Sequence, residues 1–136
     1  MKTHNMTTLT WMTCLSSLIC LSHVSGDDQT GPVYELRTYT TAAGRLPALH
    51  KRFQDHTIRI FEKHGMKNVV YWTPVDQDNT LVYLLEHKSR TAAKASWAAF
   101  VKDPEWQKVF KASRQDGPIV TKVKSQFLRK TGYSPK

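Results

Sequence analysis

Beyond its first 26 residues the chain carries four histidines, His50, His56, His64 and His87, and these are the natural first candidates for metal ligands or proton carriers. His50 and His64 would lie on nearly the same face of one helix but about 21 Å apart at 1.5 Å per residue, and His56 would point away from both. There is no His-x3-His pair, Glu-x-x-His run or acidic cluster beside them, so no metal site is expected within this chain. Nucleophilic chemistry is no better supplied. No serine stands in a Gly-x-Ser-x-Gly elbow, and both cysteines, Cys14 and Cys20, lie in an N-terminal stretch expected to be removed. The five glycines after residue 26 are isolated, so no phosphate-cradling loop and no cofactor are expected.

Glu35, Arg37 and His87 are more informative, because they interrupt segments that otherwise read as apolar strands. An ionisable group there needs a partner or a pocket. Glu35 and Arg37 are two apart, share a strand face, and are expected to form an ion pair at the sheet surface or a dimer seam. Arg37, Tyr39, Tyr71, Trp72, Tyr83 and His87 together have the make-up of a cleft with apolar walls and polar tips, suited to a small apolar or anionic ligand. The same residue types also build ordinary cores and interfaces.

The elements that must position these residues can be read from periodicity. Val33 to Thr40 alternates and is rich in β-branched and aromatic residues, giving a first strand. From Arg45 to His64 the apolar positions Leu46, Leu49, Phe53, Ile60 and Phe61 recur at helical spacing, with Pro47 in the first turn and Gly65 just past the end. Met66 to Val75 and Thr80 to His87 form a hairpin across Asp76-Gln77-Asp78-Asn79. Ser89 caps a helix whose core face is Ala93, Trp97, Phe100 and Val101. Asp103-Pro104 opens a short helix expected to bury Trp106, Val109 and Phe110. Ile119 to Arg129 is the last strand, with Ile119, Val123 and Phe127 on one face. The order β-α-β-β-α(α)-β is that of a ferredoxin-like α+β fold, a four-stranded antiparallel sheet with helices on one face. Because apolar residues occupy both sheet faces, the uncovered face needs a lid, and a second copy's sheet is the simplest one.

The 136 residues fit one domain behind a leader. Leu9 to Leu21 is an apolar run of signal-peptide length, too short to span a bilayer at roughly 20 residues. It is followed by small residues and Asp27-Asp28, so residues 1–26 are expected to be a cleavable signal peptide, with cleavage after Gly26 or at the neighbouring bond after Ser25. The leader lacks the arginines of a mitochondrial presequence, and neither cysteine has the small-residue setting of a lipid anchor, so the expected destination is the periplasm or the medium, with no transmembrane segment left. Residues 27–32 then form a linker, 33–130 the domain and 131–136 a tail. Without Lys2 the chain carries 19 basic and 11 acidic residues, a net charge of +8, which suits acidic partners without choosing one. Nucleic acid is not the expected partner, since the basic residues are scattered and Trp97 and Trp106 fit helix core faces.

Tyr34-Glu35-Leu36-Arg37-Thr38-Tyr39, Lys63-His64-Gly65 followed by Tyr71-Trp72, and Asp103-Pro104-Glu105-Trp106 resemble the NIPSNAP family in order and spacing, over about Val33 to Leu128. The resemblance implies a homodimeric α+β barrel in which two ferredoxin-like sheets pack face to face. Leu85-Glu86-His87 departs from the family's common Trp-Glu-Tyr-like strand end. Barrels of this architecture also serve cofactor-independent monooxygenases and isomerases. By that analogy His87 or Tyr83 would act as acid or base and Arg37 would hold a substrate anion. The leading expectation is a homodimeric small-molecule-binding or interaction protein, and the alternative is such a cofactor-independent enzyme.

Overall fold

The computed structural model describes residues 31–135, so the expected leader, residues 1–26, lies outside the described residues. Strand β1 (Val33–Thr41) leads into helix α1 (Leu46–Arg52), a π-helical turn (Phe53–Thr57) and helix α2 (Ile58–Lys63), which together make one rod. Strands β2 (Lys67–Trp72) and β3 (Thr80–His87) form the hairpin, helices α3 (Arg90–Lys102) and α4 (Pro104–Ala112) follow, and β4 (Val120–Leu128) closes the sheet. The sheet is four-stranded, with order β2-β3-β1-β4, and its pairings are antiparallel. This is the ferredoxin-like arrangement, in which β1 and β3 are central and β2 and β4 are edges.

The strand alternation sorts the side chains onto two faces. Register pairs Glu35 with Leu85, Arg37 with Tyr83 and Tyr39 with Leu81, and all six face the helices. Tyr83 and Leu85 have no exposed surface, and with Leu49, Phe53, Ile60, Phe61, Met66 and Phe100 they form the core. Aromatic rings pack edge-on through it, with Phe53 lying 5.3 Å from Tyr83 and 5.7 Å from Tyr71. Burial of each such side chain stabilises the fold by about 1.5–3 kcal/mol. The opposite face carries Leu36, Val82, Leu84, Val70 and Trp72, as the pairings Leu36 to Leu84 and Trp72 to Val82 require. Nothing among the described residues covers it.

Three details differ from the sequence reading. β2 stops at Trp72, short of Val75, since Pro74 has no N–H to offer a ladder. Val101, expected in the core, is 53% exposed. Helix α4 buries none of its residues, and Phe110 is exposed. Its apolar side instead borders two hollows described below, which explains why an amphipathic pattern did not translate into burial.

The first rod ends in a Schellman motif. Met66 N–H donates to the Phe61 carbonyl at 3.0 Å and Gly65 N–H to Glu62 at 2.9 Å, with Gly65 in the left-handed region at φ +73°. Beside this end, the carboxylate of Asp103 joins two helices. Its Oδ1 accepts from the backbone N–H of Glu105 at 2.8 Å and of Trp106 at 3.3 Å, capping α4. Its Oδ2 accepts from Lys63 Nζ at 2.7 Å and His64 Nε2 at 2.7 Å. Bonds from Lys63 and His64 outweigh the opposing effect of desolvation and hold the Asp103 carboxyl well below its ordinary value. Among the residues that carry the family resemblance, the Lys63-His64-Gly65 and Asp103-Pro104-Glu105-Trp106 runs therefore meet in one clamp. Replacing Asp103 with Ala should lower the melting temperature by several degrees, and Asp103→Asn by less, because Asn keeps a cap acceptor. Since the folded carboxyl titrates below its unfolded value of 3.8, the wild-type advantage should be present above that pH and disappear as pH falls further. Thermal melts across acid pH check both statements.

Candidate functional site

Glu35 lies in mid-strand with its side chain only 2% exposed, turned toward α3, and a buried carboxylate there must find donors. It finds them on its own strand and on three other elements. Oε1 accepts from Arg37 Nη1 at 2.6 Å and Ser125 Oγ of β4 at 2.6 Å. Oε2 accepts from Trp97 Nε1 of α3 at 2.6 Å and His87 Nε2 of β3 at 3.0 Å. Desolvation alone would raise the carboxyl pKa, but the bonds from His87, Ser125 and Trp97 and the charge of Arg37 together lower it from 4.5 to about 2. The group is therefore ionised, and His87 must carry its proton on Nε2 to donate. Arg37 spreads its remaining surface over the Trp97 ring, 4.1 Å from the centroid, and its Nη2 donates to the Tyr39 hydroxyl at 3.3 Å.

This network explains where the expected pocket residues go. Glu35, Arg37, Tyr39, Tyr83 and His87 are brought to the helix-facing side of the sheet. Tyr71 joins them, stacked on Tyr83 at 5.4 Å and donating to Asn68. Trp72 is not part of the group: it lies on the opposite face, 48% exposed, because adjacent strand residues alternate. Nor do Arg37, Tyr83 and His87 converge on one opening. His87 borders a surface hollow of about 360 Å³ with Gly65, Lys67 and Glu86, yet its own side chain is fully buried. Burial pushes the Tyr83 phenol well above its ordinary pKa, which removes it as a base at neutral pH.

The hollow with the character of a ligand site lies elsewhere along the same face. A cavity of about 230 Å³ sits between the sheet and the helices, walled by Tyr39, Phe53, Phe61, Phe100, Trp106 and Phe110. Two further wall residues, Arg52 and Thr57, stand just before the π-helical turn and at its end, with Phe53 between them. The wide turn is closed by Ile58 N–H donating to the Phe53 carbonyl, five residues back, and Thr57 Oγ1 donates to the Arg52 carbonyl at 3.1 Å. Single π turns recur at functional sites because they re-aim side chains on a helix. A larger groove of about 520 Å³ runs between α1 and α4 on the outer side, with Ala48, Val109 and Ala112 in its wall, and Arg52 lines this groove too.

Of the pocket residues expected from sequence, only Tyr39 reaches the cavity. Arg52 was missed. The available signal was that it falls three residues after Leu49 and immediately before Phe53, on the buried stripe, where a guanidinium is out of place. The described residues hold no group of three or more His, Cys, Asp and Glu placed to bind a metal ion.

A four-stranded antiparallel ferredoxin-like sheet with helices on one face is the fold of the dimeric α+β barrel class. The sequence pattern of the NIPSNAP family matches residues 34–135, and the chain belongs to that family. An uncharacterised NIPSNAP-like domain protein from Burkholderia xenovorans is 19% identical, with a TM-score of 0.69 over 79% of this chain and 92% of that one. A NIPSNAP family protein of unknown function from Agrobacterium tumefaciens is 23% identical, with a TM-score of 0.68 over 79% and 95%. SnoaB, a cofactor-independent oxygenase from Streptomyces nogalater, is 15% identical, with a TM-score of 0.56 over 78% and 99%. No curated protein matches the chain.

Substituting Glu35 with Gln puts an NH2 among donors and leaves Arg37 without its counter-charge. The variant should be destabilised by on the order of 3 kcal/mol at neutral pH. Because the folded pKa lies below the unfolded one, the wild-type advantage is complete above 4.5 and lost as pH falls toward about 2. Denaturant unfolding of both proteins between neutral and acid pH should show the two stabilities converging.

Proposed function

We propose that the protein is an exported homodimer that binds a small molecule in the cavity between sheet and helices. The observation that carries the binding reading is the aromatic-walled cavity of about 230 Å³, which lies apart from the only buried carboxylate–histidine pair among the described residues. Small-ligand sites are concave and largely apolar with few polar groups, and here the polar residues in the wall are Tyr39, Arg52 and Thr57. The volume is below the usual range of about 300–1,000 Å³, which favours a ligand smaller than a drug.

Dimerisation is supported by the uncovered sheet face. Leu36, Val82 and Leu84 form its centre, with Trp72 and Leu128 at the sides, and exposed apolar patches of this kind mark interaction surfaces. A second copy's sheet laid on it would complete the barrel typical of the class. Export rests on the leader described from sequence.

The competing reading is a cofactor-independent oxygenase or isomerase, favoured by the fold shared with SnoaB. It requires an acid or base in contact with the substrate. Glu35, Tyr83 and His87 are not among the residues lining the cavity, and all four bonds to Glu35 serve to keep it ionised. Binding is therefore the reading the geometry favours.

Native mass spectrometry of protein purified from its own host reads both parts of the proposal. A dimer that retains a small molecule is the expected result; a monomer, or a dimer with no adduct under the gentlest conditions, would oppose it. Leu84→Glu, which places a charge at the centre of the uncovered face, should yield a folded monomer in sedimentation velocity. A dimer persisting in that variant would move the interface elsewhere.

A further inference from the structure

From the charge balance of this cavity we infer that Arg52 anchors the carboxylate of a small aromatic or similarly apolar monocarboxylate, with Tyr39 as a second donor. The inference rests on the cavity being the binding site, and it specifies the ligand class.

Arg52 is 5% exposed and forms no salt bridge among the described residues. Its Nη1 donates to Ser113 Oγ at 3.2 Å, and its Nε is buried without any partner. Burial lowers the pKa of its guanidinium, but a guanidinium does not give up its proton in a protein, so the site holds a permanent cation. Among the described residues its charge is met by ring faces, with Trp106 5.4 Å and Phe110 5.6 Å from the guanidinium carbon. The carboxylates bordering the outer groove are already engaged. Asp55 pairs with Lys51 at 2.7 Å and Glu105 with Arg59. Arg37, a half-buried arginine of the same face, is neutralised by Glu35.

A buried cation left unpaired is costly, and a planar guanidinium fork matches a carboxylate with two parallel hydrogen bonds. The Tyr39 hydroxyl accepts from Arg37, which leaves its own proton as a donor on a residue that lines the cavity. The remaining wall is aromatic, with Phe53, Phe61, Phe100 and Phe110 shaping a slot for a flat apolar body. Arg52 lines both the cavity and the outer groove, whose wall also carries the exposed Lys51 and Lys108.

The test is calorimetric titration of the protein with phenylacetate, benzoate and the neutral isostere phenylacetamide. At least tenfold tighter binding of an acid than of the amide is expected. Arg52→Met, which keeps the apolar stem, should abolish that preference while retaining the amide affinity, and Tyr39→Phe should weaken the acids several-fold. If Arg52→Met does not fold, Arg52→Lys serves instead, since it keeps the charge without the fork and should lose part of the preference. Equal affinities for acid and amide, or a preference that survives both arginine substitutions, would overturn the anchor while leaving the cavity a binding site. If none of the three compounds binds, the cavity reading falls and the anchor falls with it.

Discussion

The burial of one carboxylate governs the arrangement of this domain. Glu35 stands on a central strand where water cannot reach it, and an ionised group in that position is tolerated only if every oxygen is filled by donors of fixed geometry. Arg37 from the same strand, His87 from β3, Ser125 from β4 and Trp97 from α3 fill them. The bonds therefore register β1 between its two neighbours and fix α3 over the sheet at the same point. A carboxylate so fully satisfied favours one packing, since any slip of a strand would leave its charge without donors.

The same satisfaction separates polarity from ligand binding. Glu35, Arg37 and the Nε2 of His87 are committed to holding the frame, and the Tyr83 hydroxyl and His87 Nδ1 are buried without a partner among the described residues. The open volume lies further along the sheet, where α1, the π-helical turn and α4 arch over Tyr39 and leave an aromatic hollow. Helix α4 is anchored at its N-terminus and by Trp106, whose ring lies 4.4 Å from Phe100. Asp103 caps it and ties it to Lys63 and His64, while Trp106 and Phe110 face the cavity and Val109 and Ala112 the outer groove. A helix with few buried contacts over a pocket belongs to the low-stability end of a structure, which suits a wall that must admit a ligand.

Much of the fold was legible because it follows from local rules. Alternation along Val33–Thr41 and Thr80–His87, the Asp103-Pro104 helix start and Gly65 at the helix end each dictate an element through sterics or capping. Pairing of Glu35 with Arg37 was accessible from their shared face. The site was less legible, for three physical reasons. Face assignment in a strand turns on tertiary packing, so Trp72 could not be separated from Tyr71 without the sheet. The π-helical turn has no composition signal, and it is this turn that carries Phe53 and Thr57 to the cavity, with Arg52 at its start. The partners that decide whether an arginine is spent or free come from distant segments. Glu35 claims Arg37 two residues away, whereas among the described residues Arg52 has no ion-pair partner because the carboxylates of its groove pair with Lys51 and Arg59.

The most direct measurement is a carbon-13 NMR titration of the Glu35 side-chain carboxyl, with Glu35→Gln used for assignment. If the carboxylate is a permanently charged part of the frame, its midpoint should lie near 2, with no further titration up to neutral pH. A midpoint at or above the ordinary 4.5 would contradict this, because a carboxyl that readily takes a proton beside His87 would be a working acid or base and not a structural node.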